Sequence, residues 1–349
     1  MKEPVARVSK QTKPLSAEQY VEGILKGDRS ALAKAITLIE SSREGDRKIA
    51  EEVVERCLQL SGNSIRVGIT GPPGAGKSSL IEALGKHIIV DRGETVAVLA
   101  VDPTSRVSGG SILGDKTRMR FLATSDKAFI RPSPTRGAQG GVAQHTREAI
   151  LLCEAAGYRN ILVETVGVGQ SEVAVRDMVD FFLLVTIAGA GDELQGIKRG
   201  VMELVDAVAV NKADGDNVRA AESARVEAEN ALHFLPVSTS GWMARALACS
   251  AHSGDRVGAV WACVLEHHAM TNANGWLDRL RREQNRRWMQ ETLEAGLMQL
   301  FRSNAVVRER MADLEKQVVD GRITAVRAGR ELLDLHVAQA GAAKQESVS

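Results

Sequence analysis

The sequence predicts an α/β fold: a mostly parallel sheet flanked by helices, with helical extensions at both ends. Three observations predict it. Short apolar runs alternate with helical patterns from about residue 64 to residue 265, the rhythm of strand–helix–strand units. Runs such as Val96-Ala97-Val98-Leu99-Ala100-Val101 are apolar without alternation, which suits parallel strands covered on both faces. The flanking stretches, before about Leu60 and after Asn274, carry apolar residues at helical spacing only.

Residues before Leu15 read as disordered. Ser16-Ala17-Glu18-Gln19 has the form of a capping box, which opens the first helix. Ile49, Val53 and Cys57 recur at i, i+4 and i+8, and Gly27-Asp28 and Ser41-Ser42 interrupt the run. Three helices are expected, forming an N-terminal extension over 1–62. Strands are expected at Ile65–Thr70, Val96–Val101, 160–164, 182–187, Ala207–Asn211 and 245–250, with a further short one near Phe129-Ile130. They define a central domain over 63–268. A C-terminal helical arm and tail fill 269–349, where Leu293, Leu297, Leu300 and Phe301, then Met311, Leu314 and Val318, lie at helical spacing. Residues from about Gly341 read as a disordered tail. Arg279, Arg281, Arg282, Arg286 and Arg287 cluster at the start of the arm. A solvated helix face, or one paired with acids at a subunit interface, explains them better than nucleic acid does.

The chemistry is concentrated at strand ends. Gly71-Pro72-Pro73-Gly74-Ala75-Gly76-Lys77-Ser78 fits G-x-x-x-x-G-K-[ST], and it follows a strand and precedes a helix beginning at Ser79. Glycines let backbone amides close around phosphate oxygens, and the helix N-terminus adds a favourable dipole. Lys77 can reach β- and γ-phosphates, and Ser78 can place its hydroxyl on Mg²⁺. The nine residues from Gly71 to Ser79 are therefore candidate nucleotide contacts, Pro72, Pro73, Gly74, Ala75 and Gly76 included.

A second motif names the base. Asn211-Lys212-Ala213-Asp214 fits N-K-x-D after an apolar strand. An aspartate here accepts from guanine N1–H and the 2-amino group, whereas adenine would leave it unpaired. Cys249-Ser250-Ala251 resembles the small-residue loop whose amide meets the guanine carbonyl, so Ser250 and Ala251 join the set.

Between these motifs lie candidate carboxylates. Asp102 ends the second strand and points into the crevice where such sheets bind ligands. It holds Mg²⁺ through water or orients the attacking water. Asp115 is the best metal-linked carboxylate in a Gly-rich segment, 108–118. Glu164 ends the next strand in Glu164-Thr165-Val166-Gly167, where many small GTPases carry D-x-x-G; Gly167 N–H can sense the γ-phosphate. Gln170 and Glu172 read as part of a mobile loop. Lys198, in a third Gly-rich stretch, is either a switch residue or a surface lysine.

Bulk properties exclude several classes. The 349 residues are 44% hydrophobic and 26% charged, ordinary for a globular protein, and the formal net charge of +1 offers no field for nucleic acid or an anionic membrane. Aromatics at 3% disfavour base-stacking platforms. Cys57, Cys153, Cys249 and Cys263 are scattered without C-x-x-C, as in a reducing compartment. No signal-peptide core or membrane-length apolar run is present, so a cytoplasmic protein is expected.

Taken together, G-P-P-G-A-G-K-S, V-D-P-T-S, S-G-G-S-I-L-G-D-K-T-R-M, E-T-V-G-V-G-Q-S-E, G-D-E-L-Q-G-I-K and N-K-A-D resemble one family. It is the methylmalonyl-CoA mutase-associated GTPase chaperones, within the SIMIBI class of P-loop GTPases. The resemblance runs over residues 17–335. It implies a homodimer formed through the C-terminal arm and a partner that is an adenosylcobalamin-dependent acyl-CoA mutase. It implies that the GTPase gates cofactor loading and protects the mutase. It also implies that Lys77 and Ser78 bind phosphate and Mg²⁺, and that Asp102, Asp115 and Glu164 form the metal and water shell. Asn211 and Asp214 then hold guanine, and Lys198 couples nucleotide state to the mutase. Methylmalonyl-, ethylmalonyl- and isobutyryl-type mutases all remain open. Two other readings are a nickel-insertion GTPase, which would usually show clustered Cys/His ligands, and a transport-system kinase or ATPase. His267-His268 is expected to be a surface pair.

Overall fold

The computed structural model describes residues 15–41, 43–101, 119–132, 141–165, 171–189, 199–236 and 238–346. The chain divides into two compact units, Met1–Gln284 and Asn285–Ser349. In the first, three helices precede the sheet, as the periodicity requires: α1 Ala17–Leu25, α2 Arg29–Ile39 and α3 Glu44–Leu58. Ser16 and Gln19 make the reciprocal capping box, and Asp28 caps α2 by accepting from Ser30 and Ala31.

The sheet follows. Its strands are β1 Ile65–Thr70, β2 Val96–Val101, β3 Ala128–Arg131, β4 Asn160–Thr165, β5 Phe181–Ile187, β6 Ala207–Asn211 and β7 Arg245–Ala248. Their order is β3-β2-β4-β1-β5-β6-β7, and every pairing is parallel. Between them run α4 Lys77–Val90, α5 Arg120–Thr124, α6 Gly141–Ala155, α7 Ser171–Arg176, α8 Arg199–Met202 and α9 Val218–His233. Helices α10 Val257–Ala273 and α11 Trp276–Ser303 come after the last strand.

Side chains alternate along each strand, so the sheet feeds two apolar layers. One joins α1, α2, α3 and α6 to residues such as Leu99, Ile161, Val163 and Phe182. The other joins α4, α5 and α10 to Val67, Ile69, Leu162, Phe181 and Leu183. Both faces of the central strands are covered, which is why those strands read as unbroken apolar runs.

Several expectations need correction. Strand β7 ends at Ala248: Cys249 N still bonds Val210 O, but Ser250 N turns away to Asp255 O. Glu172 is not in a mobile loop: it lies in the first turn of α7 and is 1% exposed. His267 is buried, 2% exposed, edge-on to Phe181 and Trp242 at 5.1 and 5.2 Å. It is therefore no surface histidine. Within the arginine cluster Arg281 is only partly exposed. It pairs with the buried Asp180 of its own unit.

The second unit contains the outer part of α11, then α12 Ala305–Val319 and α13 Ala325–Glu346. Asn304 caps α12 by accepting from Val306 and Val307. Val307, Leu314 and Ala328 are buried between α12 and α13, and Arg310 pairs with Glu331. Helix α13 continues to Glu346, so the expected tail from Gly341 is helical over most of its length. Alanines at 338, 340, 342 and 343 have the highest helix propensity and carry it past the glycine.

Candidate functional site

Loops from four strands meet at the carboxyl end of the sheet. The first joins β1 to α4. Gly71 has φ +145° and passes so close to β5 that a Cβ would sit 2.0 Å from Val185 O. Gly76 has φ +87°, and a Cβ there would lie 2.5 Å from Asn211 Nδ2. Only glycine serves at either place. Gly76 is also the N-cap of α4 and supplies no side-chain cap. The first amides of that helix are thus left to an external acceptor, the arrangement that binds phosphate.

Lys77 folds back over this loop. Its ammonium donates to Gly71 O at 2.7 Å and Pro72 O at 3.2 Å. Burial lowers its pKa, opposed by the carboxylates of Glu164 and Glu172. Ser78 Oγ donates to Glu164 Oε1 at 2.8 Å, joining the P-loop helix to the end of β4. Beneath them the Thr165 hydroxyl donates to the Thr70 hydroxyl at 2.9 Å.

The remaining two loops follow β6 and β7. Asn211, 1% exposed, donates Nδ2 to Ala75 O at 2.9 Å. Its Oδ1 accepts from Ala251 N at 3.0 Å. One amide therefore ties the phosphate loop, the N-K-x-D loop and the 249–251 loop together. Lys212 adopts a left-handed φ of 60° while its own side chain is exposed. Asp214 Oδ1 accepts from Ser250 Oγ at 2.7 Å, and Ser253 N donates to that same hydroxyl at 3.1 Å. Ser250 thus orients the carboxylate from behind. Ala251 N–H donates to the Asn211 carboxamide oxygen.

The structure brings together Gly71, Gly76, Lys77, Ser78, Glu164, Asn211, Asp214, Ser250 and Ala251. Asp102, Asp115, Gly167, Gln170 and Lys198 lie outside the described residues. The sequence reading assigned no role to Glu172, although Ser171-Glu172 is a recognisable helix start and the carboxylate acts electrostatically on Lys77.

A parallel sheet with this loop set defines a P-loop nucleotide-binding protein of the GTPase type. Residues 32–306 match the family model described as "Methylmalonyl Co-A mutase-associated GTPase MeaB", and the chain belongs to that family. A relative from Caulobacter vibrioides, named a GTPase, is 48% identical over 91% of this chain and 97% of its own length. "GTPase ArgK" of Escherichia coli is 45% identical over 81% of this chain and 86% of its own. The mouse protein named "Methylmalonic aciduria type A homolog, mitochondrial" is 43% identical over 90% and 78%. Among solved structures, a LAO/AO transport system kinase superposes with a TM-score of 0.73 at 33% identity, covering 95% of this chain and 99% of that one.

Proposed function

We propose that this chain binds GTP with Mg²⁺ and hydrolyses it to GDP and phosphate. The cycle gates adenosylcobalamin loading and protects an adenosylcobalamin-dependent acyl-CoA mutase of the methylmalonyl-CoA mutase type. The observation that carries the nucleotide reading is the Asn211 amide, which braces the phosphate loop and the base-side loops at once. Lys77 exchanges its two loop carbonyls for β- and γ-phosphate oxygens. Asp214, held by Ser250, accepts from guanine.

The donors fit Mg²⁺: the Ser78 hydroxyl and Glu164 carboxylate are hard oxygen ligands already in contact. Asp102 and Asp115 complete that set in the proposal, with Gly167 and Gln170 on the γ-phosphate side. Mg²⁺, when bound, neutralises charge on the phosphates. The name of the matching family supports the mutase as partner. Lys198 is proposed to couple nucleotide state to that partner, and the arm over 269–349 to form a homodimer. Neither nucleic acid nor a membrane enters the proposal; among the described residues no helix is long and apolar enough to cross a bilayer. The cytoplasm is the proposed compartment.

Calorimetry with GDP and ATP, followed by phosphate release from GTP, tests the first part. GDP binding without ATP binding is expected. Phosphate appearing on protein instead of in solution favours a kinase. For the partner, Lys198→Ala is expected to leave GDP affinity near parental and to reduce the acceleration of hydrolysis by the mutase. Unchanged acceleration removes Lys198 from that role.

A further inference from the structure

The nucleotide reading leaves Arg281 without a task. Its guanidinium makes a two-pronged pair with Asp180, Nε to Oδ1 at 2.9 Å and Nη2 to Oδ2 at 2.7 Å. It also donates to the carbonyls of Gly62 and Ser64. Nearly one helical turn later, Gln284 donates Nε2 to Val179 O at 2.8 Å and to Arg176 O at 3.5 Å. Asp180 is 1% exposed and Gln284 is 5% exposed. The first turns of α11 therefore grip the stretch 176–180.

That stretch closes α7. Arg176 adds a 3.0 Å ion pair to Asp206, whose Oδ2 accepts from Phe182 N. At the opposite end of the same short helix stands Glu172, buried, its charge felt by Lys77. So α7 is pinned at its C-terminal end by side chains of α11, and at its N-terminal end it carries a buried carboxylate whose charge bears on Lys77.

We infer that Arg281 and Gln284 are positioning residues for hydrolysis: they hold the turn that closes α7 and thereby fix Glu172 beside the phosphate-binding lysine. The inference rests on the GTP reading above. A buried charge acts through a low dielectric, so small displacements of Glu172 change the field at the phosphates. Such misplacement from a distance lowers rate more than it lowers binding. Arg281 supplies direction as well as charge, because its planar fork matches both oxygens of Asp180.

The test uses the full chain with Gln284→Ala and Arg281→Lys. Four quantities are read: melting temperature, GDP dissociation constant, single-turnover GTP hydrolysis, and hydrogen exchange over 172–180 with and without GDP. Gln284→Ala is expected to keep GDP affinity within about twofold and to slow hydrolysis roughly five- to tenfold. Arg281→Lys keeps the cation, loses the fork, and slows hydrolysis further. GDP is expected to change exchange over 172–180 in the parent, and to change it less in both variants. An unchanged rate in folded Gln284→Ala overturns the inference. So does a rate that falls only in step with GDP affinity, or exchange over 172–180 that ignores GDP. If Arg281→Lys does not fold, Gln284→Ala decides alone. A parent that binds GDP but releases no phosphate from GTP fails the earlier reading instead, and the exchange measurement still decides whether α7 responds to nucleotide.

Discussion

In the proposed GTP reading, Asp214 is the residue on which base choice turns. Ser250 already occupies one of its oxygens, so the carboxylate enters the cleft oriented. Asp214→Asn replaces an acceptor with a donor facing guanine N1–H, and is expected to weaken GDP by roughly 2–3 kcal/mol in calorimetry. Glu164→Gln should retain GDP yet lower turnover at least about tenfold, because the charge beside Ser78 is lost. His267 makes a prediction about pH. Burial pushes its pKa below the usual value, with Asp206 opposing and Arg176 reinforcing. The folded form thus resists a proton that the unfolded chain accepts, so stability is full above about pH 6.5 and declines as pH falls below it. In His267→Phe the fall in melting temperature between about pH 7.5 and pH 5.5 should be smaller than in the parent. Lys77, Ser78, Glu164, Asn211 and Asp214 were legible as residue types at fixed spacing after strands. The double role of Asn211 was not, because a motif does not say that one amide will satisfy two other loops.

Among the elements, the strands were the most legible, since burial on both faces leaves an apolar signature that turns cannot mimic. Strand β7 was drawn too long because Cys249 continues the run of small apolar residues, and only the turning hydrogen bond of Ser250 ends the strand. Helix α7 was missed for the opposite reason: six residues are too few for a periodicity. The P-loop itself is constrained by its neighbours. Gly71→Ala places a methyl against the backbone of β5 and is expected to cost about 3 kcal/mol or more in denaturant unfolding, whether or not nucleotide is present. A subtler device sits one turn beyond Ser78. Glu82 accepts from Phe121 N at 2.6 Å and Leu122 N at 3.2 Å, capping α5 from another helix. Gly85 lets Leu122 close in below, where a Cβ would approach it to 2.6 Å. Glu82→Ala should cost about 1 kcal/mol, the ordinary value of a lost N-cap.

For the molecule as a whole, the arm carries the clearest consequence. Met289, Leu293, Leu297 and Leu300 lie along α11 and are 57–65% exposed. They line a groove of about 560 Å³ with Trp288 and Gly296. A row of this kind on a helix is the kind of surface a second subunit covers. Leu293→Glu with Leu297→Glu is expected to halve the mass seen by light scattering while GDP affinity stays parental. An unchanged mass removes these residues from the proposed dimer interface. The arm's helices could be read from their spacing, but its arginines could not be sorted: nothing in the sequence separates Arg281, with an aspartate waiting some hundred residues earlier, from the arginines beside it.

The strand that carries the P-loop lies at the middle of the sheet, between β4 and β5. Its partners are distant in the chain: Ile65 pairs with Asn160, and Val67 with Phe181. During synthesis the nucleotide-binding strand therefore emerges long before either neighbour exists. Until the ribosome has released β4, residues 160–165, β2 and β3 are the only described strands able to pair with each other, and β1 gains its second neighbour only with β5. Nascent chains halted before residue 160 should not be retained by immobilised GDP, and retention should begin only after the later strands are out. Nucleotide can stabilise this fold once formed, but the topology denies it a part in starting it.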